Sequence, residues 1–462
     1  MKIVVINGSP KADQSITLQH IRYFMEKNPA HDLEIIPVAG QIAKIEKKEA
    51  VFKEITEKMA GADAVIWSFP VYYALIPSQL KRFVELLFER GRPDLFKGKY
   101  TTSFTTSINF FDHTAHNYMQ GVCEELGFVY IKSYSAHMDD FFHGDRRKRM
   151  LCFFEWFIKM VEEKIPVARK YRVQAPEPIV YKPCSMETLP VTSDRKVLLL
   201  TDAGPEDTNL NRMIDLFQRT CSMEVSLKNI HGIHMKQGCL GCCTCGYDNT
   251  CIQKDGFARF FNDNLKTADI IIIAGSVKDH YLSATWKKFF DRSFFNGHAP
   301  VLKGKRLGFM ISGPLSQIQN LQELLEGFGD GWHMKSAGFV TDEHRSSEDI
   351  TTHIRAFARE LALADDQNLE FGARFYRVGG GKIFRDFVYA TSAVFTADHV
   401  FYKKMGMYKD FPQKKIKKRI SNAVFSIFMG FKPMRKKIHQ RFIPGMVAPY
   451  KKVLDRLSSR KS

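Results

Sequence analysis

The chain has 462 residues, 44% hydrophobic and 26% charged, with nine cysteines and a net charge of +18. That composition excludes wholesale disorder and leaves room for two or three domains. Residues 401–462 carry 18 of the 68 Lys and Arg but 2 of the 50 Asp and Glu, so the other 400 residues are nearly neutral at +2 (50 basic, 48 acidic). The basicity therefore belongs to a tail, which argues against a nucleic-acid binder as the whole protein's role.

The start, MKIVVINGSP, has one Lys and four consecutive apolar residues, too few for a secretory signal. No apolar stretch reaches the length of a membrane span. The expected location is the cytoplasm, where thiols stay reduced and a disulfide framework is not expected.

In chain order, apolar runs Ile3–Ile6, Leu33–Val38 and Ala64–Trp67 read as buried strands, and Ser78–Phe88 reads as an amphipathic helix. Strands alternating with helices predict a parallel sheet covered on both faces. A Pro-rich stretch with Pro166, Pro176, Pro178, Pro183 and Pro190 then reads as a linker. Val197–Leu200, Ile270–Ala274 and Leu307–Ile311 take up the strand pattern again.

The second half repeats the first. Ala62–Ile66 recurs as Ala268–Ile272, Gln79–Glu85 as Thr285–Asp291, and Leu95–Lys99 as Val301–Lys305. All three pairs share an offset of 206 residues, and the opening strands match at 194. The predicted organisation is a first domain over 1–165, a linker over 166–194, a second domain over 195–370 and a basic, mainly helical extension over 371–462.

After the first strand, Gly8-Ser9-Pro10-Lys11 leads through Ser15 and Thr17 into a helix. Free N–H groups and the positive dipole end favour an anion there. An ordinary serine-capped turn explains the same residues. After the third strand comes Pro70-Val71-Tyr72-Tyr73, and after the fourth Thr105-Thr106-Ser107.

These loops together resemble the NADPH-dependent FMN reductase group of flavodoxin-like proteins, over about residues 1–165 and 195–365. The resemblance implies two tandem doubly wound α/β domains with five-stranded parallel sheets. It implies FMN, with Ser9, Pro10, Ser15 and Thr17 at its phosphate. Pro70, Val71, Tyr72 and Tyr73 would border the ring, with Thr105, Thr106 and Ser107 as a third wall. NAD(P)H would be the reductant, and a quinone, nitro compound, free flavin or protein the acceptor. No catalytic side chain is assigned, because the chemistry would be the cofactor's. Reductases of this kind often dimerise, so a homodimer, or an internal pseudo-dimer of the two copies, is expected. In the second copy the first loop reads Asp202-Ala203-Gly204-Pro205-Glu206-Asp207, and Ser276-Val277-Lys278-Asp279 replaces Pro-Val-Tyr-Tyr. A weakened flavin site is expected there.

Cys239, Cys242, Cys245 and Cys251 follow the spacing C-x2-C-x2-C-x5-C, with Cys243 extra. Compact thiols in this spacing suit a [4Fe–4S] cluster, zinc, or redox-switching thiols. The loop resembles that of iron–sulfur flavoproteins, which implies those four as cluster ligands. Rival roles for the whole chain are therefore an FMN and iron–sulfur electron carrier or a thiol redox sensor. Cys123, Cys152, Cys184 and Cys221 stand alone and read as core or surface thiols.

Aromatic-rich residues 371–411 read as helices packed on the second domain. Beyond them, Lys414-Lys415-Ile416-Lys417-Lys418-Arg419 precedes apolar Ala423–Met429, followed by Lys432 and Arg435-Lys436-Lys437. This pattern fits either a basic helix docked on the body or one at the anionic inner membrane surface.

Overall fold

The computed structural model describes residues 1–92, 94–172, 179–183, 188–409 and 416–459. Pro176, Pro178, Cys184, Lys414 and Lys415 lie outside the described residues. The chain divides into two compact units. Unit 1 holds Met1–Val173, Gly238–Cys243 and Ile420–Ser462; unit 2 holds Gln174–Gln237 and Thr244–Arg419.

In unit 1 the strands are β1 (Lys2–Asn7), β2 (Asp32–Ile36), β3 (Ala64–Pro70), β4 (Tyr100–Ser107), β5 (Val129–Tyr130) and β6 (Tyr134–His137). The helices are α1 (Ile16–Lys27), α2 (Ile42–Lys47), α3 (Glu49–Gly61), α4 (Ser78–Arg90), α5 (Asp112–Glu125) and α6 (Gly144–Glu162). The sheet runs β2-β1-β3-β4-β5, all parallel, with β6 also on β4. β5 pairs at the start of β4 (Tyr100 with Val129) and β6 at its end (Phe104 with Tyr134), so the fifth position is one strand in two pieces. Ile3, Val4, Val5 and Ile6 are wholly buried, as a strand covered on both faces requires. The strand expected at Leu33–Val38 ends at Ile36, before Pro37.

Unit 2 repeats the plan with β7 (Ser193–Thr201), β8 (Met223–Asn229), β9 (Ile270–Ser276), β10 (Arg306–Ser312) and β11 (Lys335–Thr341). Its helices are α7 (Thr208–Thr220), α8 (Gly256–Phe260), α9 (Ala284–Ser293), α10 (Gln319–Gly331) and α11 (Ser347–Asp366). The order β8-β7-β9-β10-β11 matches the first sheet position for position. Equivalent turns of α4 and α9 carry buried ion pairs, Lys81–Glu85 and Lys287–Asp291, again 206 residues apart.

The Pro-rich stretch is pinned at each end within its own unit. Lys170 and Tyr171 donate backbone N–H groups to the Glu124 carboxylate in unit 1, at 3.0 and 2.8 Å. Tyr181 is fully buried in the unit 2 core and its hydroxyl pairs with Thr351.

The extension continues with α12 (Gly381–Ala390) and α13 (Thr396–Lys404) in unit 2, then α14 (Ile416–Gly430) and α15 (Lys432–Ser458). Arg374 ties to Asp330 and Glu326. In unit 1, Tyr450 of α15 packs on His20, Phe141 and Phe142, and donates to Met138 O at 2.6 Å.

Candidate active site

The sheet of unit 1 reverses its winding between β1 and β3, and loops past those strand ends form the crevice where open α/β sheets take ligands. The Gly8 N–H donates to Ser68 O at 2.8 Å, holding the β1 exit against β3. A Cβ at Gly8 would lie 2.4 Å from Leu80 Cδ2 and 3.1 Å from Phe69 Cβ, so only glycine allows this approach to α4.

Much of the loop is satisfied by itself. Ser9 N–H donates to Asn7 Oδ1 at 3.1 Å, and Lys11 N–H to Ser9 Oγ at 3.3 Å. Ser15 caps α1, accepting from Leu18 N–H at 3.4 Å. Ser9, Ser15 and Thr17 are all buried, while Pro10 and Lys11 are half-buried. What remains for an anion is the N–H pair of Ile16 and Thr17, which helix geometry leaves without intrahelical acceptors, and the Lys11 ammonium. Lys11 is a candidate that sequence reasoning passed over. Its signal was a cation three residues past a strand-end glycine.

Thr17 Oγ1 meets Thr106 Oγ1 at 2.6 Å, which joins the first helix to the end of β4. Behind Thr105 stands a buried network. His116 Nε2 lies 3.0 Å from both Thr105 Oγ1 and Ser135 Oγ, and its Nδ1 lies 2.6 Å from Ser103 Oγ. Burial drives the His116 pKa down to about 3, so the ring is neutral. Ser107 donates to Asp112 Oδ1 at 2.7 Å, and burial raises the pKa of that carboxyl.

After Pro70 the chain makes a two-residue turn. Tyr72 N–H donates to Leu75 O at 2.8 Å and Leu75 N–H returns to Tyr72 O at 3.0 Å. Tyr73 and Ala74 both have positive φ, +45° and +58°. Consecutive left-handed residues with side chains are costly and cluster at ligand sites. Thr114 Oγ1 lies 2.5 Å from Ala74 O and 2.7 Å from Phe111 O, clamping this turn to the start of α5. Thus the loops bearing Ser9–Thr17, Pro70–Tyr73 and Thr105–Ser107 are knit into one rim.

Gly238–Cys243 also belongs to unit 1 and lies against that rim. A Cβ at Gly241 would stand 2.0 Å from Tyr72 Oη and 3.0 Å from Lys11 Cε. Nothing in the sequence placed this segment beside Tyr72.

The corresponding site in unit 2 is occupied by its own acids. The Gly204 N–H donates to Asp207 Oδ2 at 2.8 Å, and Ser276 Oγ donates to Asp207 Oδ1 at 2.7 Å. Asp202 accepts from Ser283 Oγ and from Trp286 Nε1, the latter at 2.8 Å, and burial raises its pKa. The Glu206 carboxylate folds over Gly204. Lys278 and Tyr281 keep the two-residue turn, with Asp279 at φ +47° and His280 at +61°.

Among the described residues no three His, Cys, Asp or Glu side chains form a group able to hold a metal ion. Gly241 N–H points to Cys239 Sγ at 3.4 Å. In unit 2, Cys245 Sγ lies 3.2 Å from His298 Nε2, whose Nδ1 lies 2.8 Å from Asp398 Oδ2. The unit 2 base of the cysteine loop is firm: Arg292 grips Asp255 with two bonds of 2.7 and 2.8 Å and also donates to Gln237 O. Burial raises the Asp255 pKa, but Arg292 outweighs it and brings the value to about 2.

The sequence model of NADPH-dependent FMN reductase matches residues 1–143 and 197–341. An iron–sulfur flavoprotein of Archaeoglobus fulgidus is 31% identical over 111 residues, 22% of this chain and 47% of its own length. The chain thus spans about half the length of that curated relative. Among solved structures, an apo NADH:FMN oxidoreductase (EMOB) is 21% identical at TM-score 0.30, covering 34% of this chain and 87% of its own. The NAD(P)H:quinone oxidoreductase of Methanothermobacter marburgensis is 8% identical at TM-score 0.29, covering 37% and 100%.

Proposed function

The chain belongs to the NADPH-dependent FMN reductase family, and from that premise we propose that it is an NAD(P)H-dependent oxidoreductase holding one FMN, in the first copy. The observation that carries this reading is the contrast between the two strand-end loops. In unit 1 the helix N-terminus is left to Ile16, Thr17 and Lys11, whereas in unit 2 the first helical N–H, of Thr208, already donates to Glu206 O at 2.8 Å and the Asp207 and Glu206 carboxylates crowd the loop before it. Two carboxylates already folded into that loop oppose a phosphate by charge and by space.

In the first copy, Ile16 and Thr17 N–H groups and Lys11 would hold the phosphate, with the hydroxyls of Ser9 and Ser15 beside them. Pro70, Val71, Tyr72 and Tyr73 would border the ring, and Thr105, Thr106 and Ser107 would close the third side. Bound FMN supplies hydride acceptance from a nicotinamide and electron release to an acceptor. The strained turn at Tyr73–Ala74, clamped by Thr114, fixes the rim before any ligand arrives, which lowers the ordering cost of binding. Neutral His116 fixes Thr105 by hydrogen bonding, without placing a charge beneath the site. The acceptor is a small molecule of the quinone, nitro or flavin class.

Anaerobic isolation followed by flavin extraction and rapid mixing with NADPH tests this. One FMN per chain that bleaches within the turnover time supports it. Slow or absent bleaching moves the role to an electron carrier, and a chain that takes up no flavin overturns both.

The C-x2-C-x2-C-x5-C spacing favours a second reading for the cysteine loop, in which Cys239, Cys242, Cys245 and Cys251 take a [4Fe–4S] cluster. About four iron atoms per chain after anaerobic isolation support it. An iron-free yellow protein leaves these residues as thiols.

A further inference from the structure

Helix α14 turns an apolar row outward. Ile420, Val424, Ile427 and Phe428 are 61%, 51%, 65% and 47% exposed, and Phe431, at the bend that follows, and Met434, in the first turn of α15, are 62% and 43% exposed. Within α14, Ile420, Val424, Ile427 and Phe428 stand at i, i+4, i+7 and i+8, which is one helical face. Met429, at the opposite side, is fully buried and anchors the helix.

The surroundings of this row are cationic. Between 416 and 454 the sequence holds ten Lys and Arg (417, 418, 419, 432, 435, 436, 437, 441, 451, 452) and no Asp or Glu. Lys417, Lys418, Lys432, Lys436 and Lys437 are exposed. Beside the row, Met434, Lys437, Ile438, Arg441, Gly445 and Met446 line an open groove of about 560 Å³ that pairs an apolar floor with two cations.

We propose that this face docks on an anionic phospholipid bilayer, lying in the headgroup plane. No helix among the described residues is long and apolar enough to cross a membrane. The 15 residues of α14 give a helix of about 22 Å, shorter than a hydrocarbon core of about 30 Å. An outward apolar row flanked by lysines that can snorkel is the arrangement that interfacial helices use. A nucleic acid would match the charge but would leave the exposed Ile, Val and Phe side chains without a partner, so lipid fits the whole surface better. This reading is independent of where the flavin binds.

The test is co-sedimentation of the full chain with vesicles of phosphatidylcholine alone and of phosphatidylcholine with 30 mol% (about one lipid in three) phosphatidylglycerol. Binding at least about tenfold stronger to the anionic vesicles, weakened by 0.5 M salt (a Debye length of roughly 4 Å), is expected. Val424→Glu with Ile427→Glu, both at exposed positions, should cut that binding about tenfold or more while the thermal unfolding curve stays in place. Lys417→Glu with Lys418→Glu should do so through charge alone. Equal binding to both vesicles, or vesicle binding indifferent to the apolar variants, overturns the proposal. So does displacement of the vesicles by duplex DNA with no effect of the apolar variants, or a chain dimer that the apolar variants dissociate.

Discussion

Gly8 and Gly241 are two places where a single methyl group is predicted to be felt at the rim proposed to hold the flavin. At Gly8 the new Cβ would meet Leu80 at 2.4 Å, so Gly8→Ala forces α4 or the loop to move. Overpacking of this kind costs about 1–3 kcal/mol. A flavin fluorescence titration of Gly8→Ala should show FMN affinity falling about tenfold or more, in keeping with about 1.4 kcal/mol per decade. At Gly241, φ of +62° and the Tyr72 hydroxyl at 2.0 Å from a built Cβ combine strain with a clash. Gly241→Ala should shift the visible flavin spectrum through a displaced Tyr72, and cost about 1–2 kcal/mol from backbone strain alone. Thr17→Val keeps shape but leaves the Thr106 hydroxyl without its partner; about 1 kcal/mol of stability should be lost in urea unfolding.

Among the elements, strands were the most legible from sequence and loops the least. Ile3–Ile6, Ala64–Trp67 and Ile270–Ala274 were readable because four or more apolar residues in a row have no other cheap fate in an α/β chain. The split of the fifth strand of unit 1 was not readable, since Val129–Tyr130 and Tyr134–His137 are too short and too polar to give a period. Thr105 and Thr106 were readable as a strand-end rim, but the His116 network behind them was not, because it joins residues on β4, α5 and β6 that only the fold brings together. Pairing of Cys245 with His298 and Asp398 spans more than 150 residues and leaves no local trace. The Arg292–Asp255 fork offers a test at this level. Both side chains are almost fully buried, at 1% and 2% exposure. Arg292→Leu would strand a buried carboxylate and should lower the stability of unit 2 by about 3–5 kcal/mol. The double variant with Asp255→Leu should recover most of that loss, which a double-mutant cycle would read directly.

For the whole molecule, acid should weaken unit 1 before it weakens the cysteine-loop base. Burial lowers the His20 pKa to about 4 and the His116 pKa to about 3. A histidine held neutral in the fold but free to protonate when unfolded stabilises fully above pH ~6.5, and that stability drains away as pH falls towards the folded value. At pH 5 the loss is about 2 kcal/mol for each such group. Asp255 works the same way in a lower window, with stability present above pH ~4 and lost towards pH 2. Urea midpoints measured at pH 7.5 and pH 5 should therefore diverge. His20→Phe, which fills the same aromatic site against Phe104, Phe141 and Tyr450, should narrow that gap.

The left-handed turn occurs in both units. Tyr73-Ala74 and Asp279-His280 share no residue, yet their φ values agree within a few degrees (+45°, +58° against +47°, +61°). Neither copy has drifted to glycine, although glycine would remove the steric cost. Unlike residues thus adopt the same bend in both copies, so the fold and not the side chains sets it. Glycine placed at either bend should therefore stabilise its unit by removing that cost.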